Sequence, residues 1–171
     1  MNMDAAEIHR RLRNQFGNDV SEELRSTAKA GDWSTCDVRS SSIAEVCRWL
    51  RDEPELKFDC LSNLSGVDRK ATDEIDVYYH LYSYAFRHQI ALRTSTPRLD
   101  PVLPTLCAVW PTADWLEREC FDLLGVRFTG HPDLRRILMP EDWVGHPLRK
   151  DFVEPDEYHG ISTRRESLLK L

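Results

Sequence analysis

No two of the five cysteines in this chain, Cys36, Cys47, Cys60, Cys107 and Cys120, stand at Cys-x-x-Cys spacing. That absence argues against a resident iron–sulfur cluster or structural zinc site, since both need thiolates at ligand spacing. The odd number and wide scatter fit reduced, mostly buried thiols in a compartment such as a bacterial cytosol. A long apolar run is missing as well. MNMDAAEIHR contains no signal-peptide core, and PVLPTLCAVWP is too short and too rich in proline to span a bilayer. There is no internal repeat, no low-complexity tract and no excess of positive charge. The 23 Lys and Arg against 29 Asp and Glu leave −6, which disfavours nonspecific attraction to nucleic acid or anionic lipid. What is present, 41% hydrophobic and 30% charged residues in a chain of 171, describes one domain and a tail.

Ile8, Leu12 and Phe16 recur at helical spacing before Gly17, which predicts an amphipathic helix over 4–16. In the next helix Ser42 and Glu45 suggest a capping box, followed by an apolar stripe of Ile43, Val46, Cys47 and Leu50. Residues 33–38 suggest a strand. EIDVYYHLYSYAF alternates, with Ile75, Val77, Tyr79, Leu81 and Ala85 on one face and Asp76, Tyr78, His80, Tyr82 and Tyr84 on the other. With FDCLSNLSGVD at 58–68 before it and HQIALRTST after it, the expected fold is α+β. It has two layers, a mostly antiparallel or mixed sheet packed against helices.

Beyond Gly125, glycine and proline interrupt every periodic pattern, yet Leu134, Ile137, Leu138, Trp143, Leu148 and Phe152 are apolar, unlike a disordered tail. Residues 125–171 hold eight basic and eight acidic residues, so the whole −6 (15 minus 21) lies in 1–124. The chain therefore divides into a globular domain, 1–125, and an extended partner-docking segment, 126–171. Within that segment Gly-His-Pro occurs twice, at 130–132 and 145–147, each time followed by leucine and paired basic residues. Glycine permits a sharp bend, proline stiffens the chain after it, and a neutral histidine can both donate and accept. Arg135 with Arg136, and Arg149 with Lys150, are then presented to a neighbour, and should matter more than Arg164 and Arg165, read as rim charges.

Between domain and strap, Thr112 is expected to cap a helix running to Gly125, with Leu116, Cys120, Leu123 and Leu124 on its apolar side. Glu117 falls inside that arc, so it needs a partner, and Arg135 or Arg136 is the expected one. Arg118 and Asp122 read as an exposed i,i+4 pair.

WLERECFDLLGVRFTGHPDLRRILMPEDWVGHPLRKDF closely resembles the signature region of the C subunit, the 30-kilodalton subunit family, of respiratory complex I, the proton-pumping NADH:quinone oxidoreductase. The residues that carry the resemblance are Glu117-Arg118-Glu119, Asp122, Gly125, the run from Gly130 to Leu138, and Gly145 to Asp151, while FDCLSNLSGVD and VYYHLYS resemble the upstream strands. Leu124 stands where the family usually has an aromatic, which implies a different packing there. The resemblance implies a peripheral subunit of the hydrophilic arm on the cytoplasmic face of the membrane. It implies packing against the quinone-site D subunit, with FMN, iron–sulfur clusters and quinone carried by other subunits. The docking residues it points to are Glu117, Arg118, Glu119, His131, Asp133, Arg135, Arg136, Trp143, His146, Arg149 and Lys150. Relatives in ferredoxin-driven and hydrogenase-type assemblies are an alternative.

Other chemistries fit less well. His131 and His146 with Asp133, Glu141 or Asp142 offer metal ligands at no recognised spacing. Glu117 and Glu119 diverge by about 200° on a helix and cannot flank one bond as an acid/base pair. The row Tyr78, His80, Tyr82 and Tyr84 could stack single-stranded nucleic acid, but on an acidic domain a covered face is the plainer reading.

Overall fold

A computed structural model describes residues 3–26 and 33–163; Arg164 and Arg165 lie outside them. Helix α1 (Ala5–Phe16) is capped by Asp4, whose side chain accepts from the Glu7 N–H, and ends at Gly17 with φ +55°. Its buried Ile8 and Leu12 enter the same core as the stripe of α2 (Ile43–Asp52), where Ile43, Val46, Cys47 and Leu50 are all buried, and Phe16 packs edge-on against Trp49. The sheet has five strands in the order β1 (Val20–Arg25), β2 (Thr35–Val38), β5 (Gln89–Pro97), β4 (Glu74–Tyr82) and β3 (Cys60–Arg69). β3, β4 and β5 form an antiparallel meander, and β2 runs parallel to β5, which makes the sheet mixed. The architecture is the α+β, two-layer arrangement of sheet and helices that the sequence predicts.

Two expected caps are not made. Ser42 has helical backbone angles and its Oγ donates instead to Asp19, so it cannot turn back to the first free N–H groups of α2. Thr112 is likewise helical and makes no side-chain cap. The alternation also stops earlier than predicted: β4 ends at Tyr82, and Ala85 lies exposed in the turn before β5 rather than in the core. On the outward face Asp76 is buried, because Arg69, Arg93 and Ser95 surround its carboxylate. Of the row read as a possible stacking platform, Trp33 packs edge-on against His80 and Arg69 donates to Tyr78, while Tyr82 and Tyr84 pack edge-on against each other.

A β–α–β unit completes the domain. β6 (Val102–Pro104) and β7 (Arg127–Thr129) pair in parallel, with α3 (Ala113–Leu124) as the crossover between them. Val126 and Phe128 enter the same core as Leu103 and Leu106, so the packed interior continues as far as Phe128. Gly66 lets α3 approach the sheet: a Cβ there would collide with the side chains of Leu124 and Cys120. Leu124 fills that contact.

Candidate docking interface along helix α3

The segment after β7 does not hang free. It runs beside α3 and is fastened at both ends by the repeated tripeptide. His131 lies at the helix start, with Nε2 donating to the Asp114 carbonyl at 3.2 Å while Nδ1 accepts the Asp133 N–H at 3.0 Å. At the helix end His146 donates Nδ1–H to the Asp122 carbonyl at 2.9 Å. The Leu148 N–H reaches the Leu123 carbonyl at 3.0 Å and Arg149 Nε reaches the Leu124 carbonyl at 2.8 Å. Three carbonyls left without helical partners at a C-terminus are thus satisfied by one short piece of strap. The two anchoring carbonyls, eight residues apart, are separated by about 12 Å along the axis.

Asp122 answers from the helix side. One carboxylate oxygen accepts the N–H groups of Ile137, Leu138 and Met139 at 3.1, 2.7 and 2.9 Å, and the other accepts Arg136 at 2.8 Å. Burial pushes this carboxyl up, but the three N–H groups and the guanidinium outweigh it and hold the group below the usual carboxylate range. Gly125 is required twice over: its φ is +80°, and a Cβ there would lie 2.5 Å from His146 Nε2. Farther along, Asp68 of β3 accepts the Lys150 N–H at 2.7 Å and Arg98, and Arg98 also pairs with Asp151.

These contacts revise several expectations. Glu117 is fully buried, but neither arginine reaches it: its oxygens accept from Thr105 Oγ1 and the Leu106 N–H, both at 2.6 Å, and burial raises its pKa. Arg136 is spent on Asp122 instead, and Arg135 pairs with its near neighbour Asp133 at 2.9 Å in solvent. Arg118 and Asp122 are both buried and do not pair; Arg118 donates to the Arg135 carbonyl and stacks on Trp115, 4.8 Å from the ring centre. Trp143 is half-buried against Phe152 and Tyr158. Glu119, Lys150 and Arg135 keep exposed side chains. Asp122 and Asp68, the two acids that hold the strap, were not singled out as anchors, because each accepts backbone N–H groups from distant chain and no sequence spacing encodes that.

The metal reading of His131 with His146 fails, since the two rings grip opposite ends of α3 through backbone carbonyls. Cys107, Glu117 and His131 do bring one ligand atom each within 4.8 Å of one another. The set suits an ion poorly: the Asp133 N–H occupies Nδ1 of His131, so the ring proton sits on Nε2 and no lone pair is left to coordinate. Glu117 is better described as a buried, hydrogen-bonded acid.

Among the exposed charged residues of the strap, several aliphatic side chains also face solvent. Leu138, Val144, Leu148 and Val153 are 58%, 85%, 54% and 84% exposed, and Trp115 on α3 is 62% exposed. These solvent-facing aliphatics lie on a segment fixed by many hydrogen bonds.

The sequence profile described as Respiratory-chain NADH dehydrogenase, 30 Kd subunit, matches residues 36–158. The chain belongs to that family. The C subunit of the NADH-quinone oxidoreductase of Roseiflexus sp. (strain RS-1) is 46% identical over 152 residues, 88% of this chain and 85% of the relative. Those of Roseiflexus castenholzii and Herpetosiphon aurantiacus are 50% and 41% identical, over 75% and 87% of this chain and 74% and 84% of their own lengths. Among solved structures, a chain of an archaeal membrane-bound sulfane sulfur reductase superposes with TM-score 0.72 at 22% identity, covering 86% of this chain and 85% of that one. The trypsin-resistant fragment of Nqo5 gives 0.62 at 23%, covering 77% and 100%. These two likenesses speak for the fold alone. The resemblance carried by residues 117–151 is borne out, and this 30 Kd subunit of a respiratory-chain NADH dehydrogenase has, among the described residues, no helix long and apolar enough to cross a membrane.

Proposed function

We propose that this chain is a structural subunit of the hydrophilic arm of a proton-translocating NADH:quinone oxidoreductase. It docks against the quinone-site D subunit and its neighbours on the cytoplasmic face of the membrane. It binds no FMN, iron–sulfur cluster or quinone of its own and supports electron transfer by holding the subunits that do. The observation that carries this reading is the rim of exposed aliphatic side chains on a strap pinned to α3. A segment so held is ordered before the partner arrives, so association does not bear the full cost of ordering it. An obligate contact of roughly 2,000 Å² or more is the expected scale. The test is to recover a tagged chain from membranes solubilised in mild detergent and identify what accompanies it. Other subunits of the oxidoreductase, the D subunit among them, should co-purify, while the chain isolated alone should be colourless. Recovery of the chain alone from such membranes, or stoichiometric iron and acid-labile sulfide in the isolated chain, would refute the reading.

A further inference from the structure

β3 is an edge strand whose outer side is unpaired. It pairs with β4 on one side, and among the described residues no other backbone group bonds to its main chain except Thr72, in the turn just past Arg69. From Leu61 to Val67 it carries no proline and no charge; a bulge between Leu61 and Asn63 interrupts its pairing at one end, and from Asn63 to Arg69 the ladder to β4 runs without a further shift. Beside that edge lies a cleft of about 270 Å³ between β3, α3 and the strap. Asn63 and Ser65 line it from the outward face of the strand, and Leu64 and Gly66 from the core face, so the cleft lies over the free edge itself. Its far wall is Leu123 with the half-exposed Leu148, and Glu119 stands at its mouth. Glu119 is exposed and has neither hydrogen bond nor ion pair among the described residues, whereas Glu117 and Asp122 on the same helix are fully engaged.

We infer that this edge receives an extended segment of the partner subunit, added alongside β3, with an apolar side chain between Leu123 and Leu148 and a lysine or arginine paired with Glu119. This rests on the docking role proposed above and assigns it a second point of contact, distinct from the strap's rim. Backbone bonding along the edge supplies affinity for an extended chain, and alternate side chains in the cleft supply selectivity. Covering the cleft would strip water from Glu119, and a carboxylate so placed needs a cation opposite it, which fixes both the register and the sign of the incoming residue.

A photo-crosslinking amino acid at Ser65 in the full-length chain, expressed in cells lacking the native one, tests the edge directly. Position Val144 reports the strap rim, and Glu23 on the opposite edge strand serves as control. Ser65 should crosslink to another subunit of the complex, within an extended segment that carries a basic residue near the crosslink, and Glu23 should not. In parallel, Glu119→Lys should lower the amount of chain in the membrane-bound complex about tenfold or more, with a smaller loss for Glu119→Gln and no change in melting of the purified chain. Crosslinking at Val144 with none at Ser65 would overturn this inference and leave the docking role standing. So would a Ser65 crosslink to a helix or to a second copy of this chain, or full assembly of Glu119→Lys. Silence at both positions would remove the docking role as well.

Discussion

Glu117 shows how far a single residue can be read. Its burial follows from its position in the apolar arc of α3, but its partners, Thr105 and the Leu106 N–H, sit in an irregular connection that no periodicity reveals. Because burial raises its pKa, the ionised form is disfavoured in the fold, and the acid's contribution is intact below the usual carboxylate range and lost as pH rises through the raised value. Glu117→Gln keeps an acceptor for Leu106 and cannot ionise. The variant should therefore gain in melting temperature relative to the parent as pH is raised from about 4.5 to about 8, which a series of thermal melts will show. Glu117→Ala strands a buried N–H and opens a void, so it should cost on the order of 2–4 kcal/mol by chemical denaturation. A parallel pH dependence for parent and Gln variant would mean that Glu117 is already ionised in the fold.

Among the elements, helices α1 and α2 and the meander β3–β4–β5 were legible because their apolar residues repeat at the helical or strand period. β1 was not foreseen, since VSEELR is charged and only Val20 is buried; its place is set by pairing with β2 rather than by its own pattern. The strap's irregular, apolar-bearing character was legible in its mixture of turns and apolar residues, while its fastening to α3 was not, because that fastening runs through backbone groups any sequence would offer. Asp122 is the centre of this fastening. Asp122→Asn keeps the shape but loses the charge that holds three N–H groups and Arg136, at a cost on the order of 3–5 kcal/mol. The loss should appear as faster amide hydrogen exchange at Ile137, Leu138 and Met139, with β4 and β5 unaffected. The carboxyl lies below its ordinary range, so the stabilisation it provides is full above that range and fades as pH falls through the depressed value. Unchanged exchange at the three amides would show that the strap stays in place without this anchor.

On the scale of the whole molecule, charge and apolar surface are divided between two regions. Residues 1–128 carry −5 of the formal −6 (16 basic against 21 acidic) and one continuous core, and the residues beyond Phe128 carry most of the exposed aliphatics among the described residues. A chain ending at Phe128 retains every residue of the core cluster but loses the groups that satisfy the last carbonyls of α3 and the carboxylate of Asp122. Those groups become accessible to water rather than buried without partners, so the penalty is a set of ordinary hydrogen bonds at about 0.5–1.5 kcal/mol each rather than a broken core. The truncated chain should accordingly keep its far-ultraviolet circular dichroism, apart from fraying at the end of α3, and melt several degrees below the full chain. In cells lacking the native chain it should be absent from the membrane-bound arm, because the apolar rim at Leu138, Val144, Leu148 and Val153 has gone. Co-purification of the truncated chain with the other subunits at the level of the full chain would show that the domain alone, through surfaces such as the free edge of β3, makes the contacts that assembly requires.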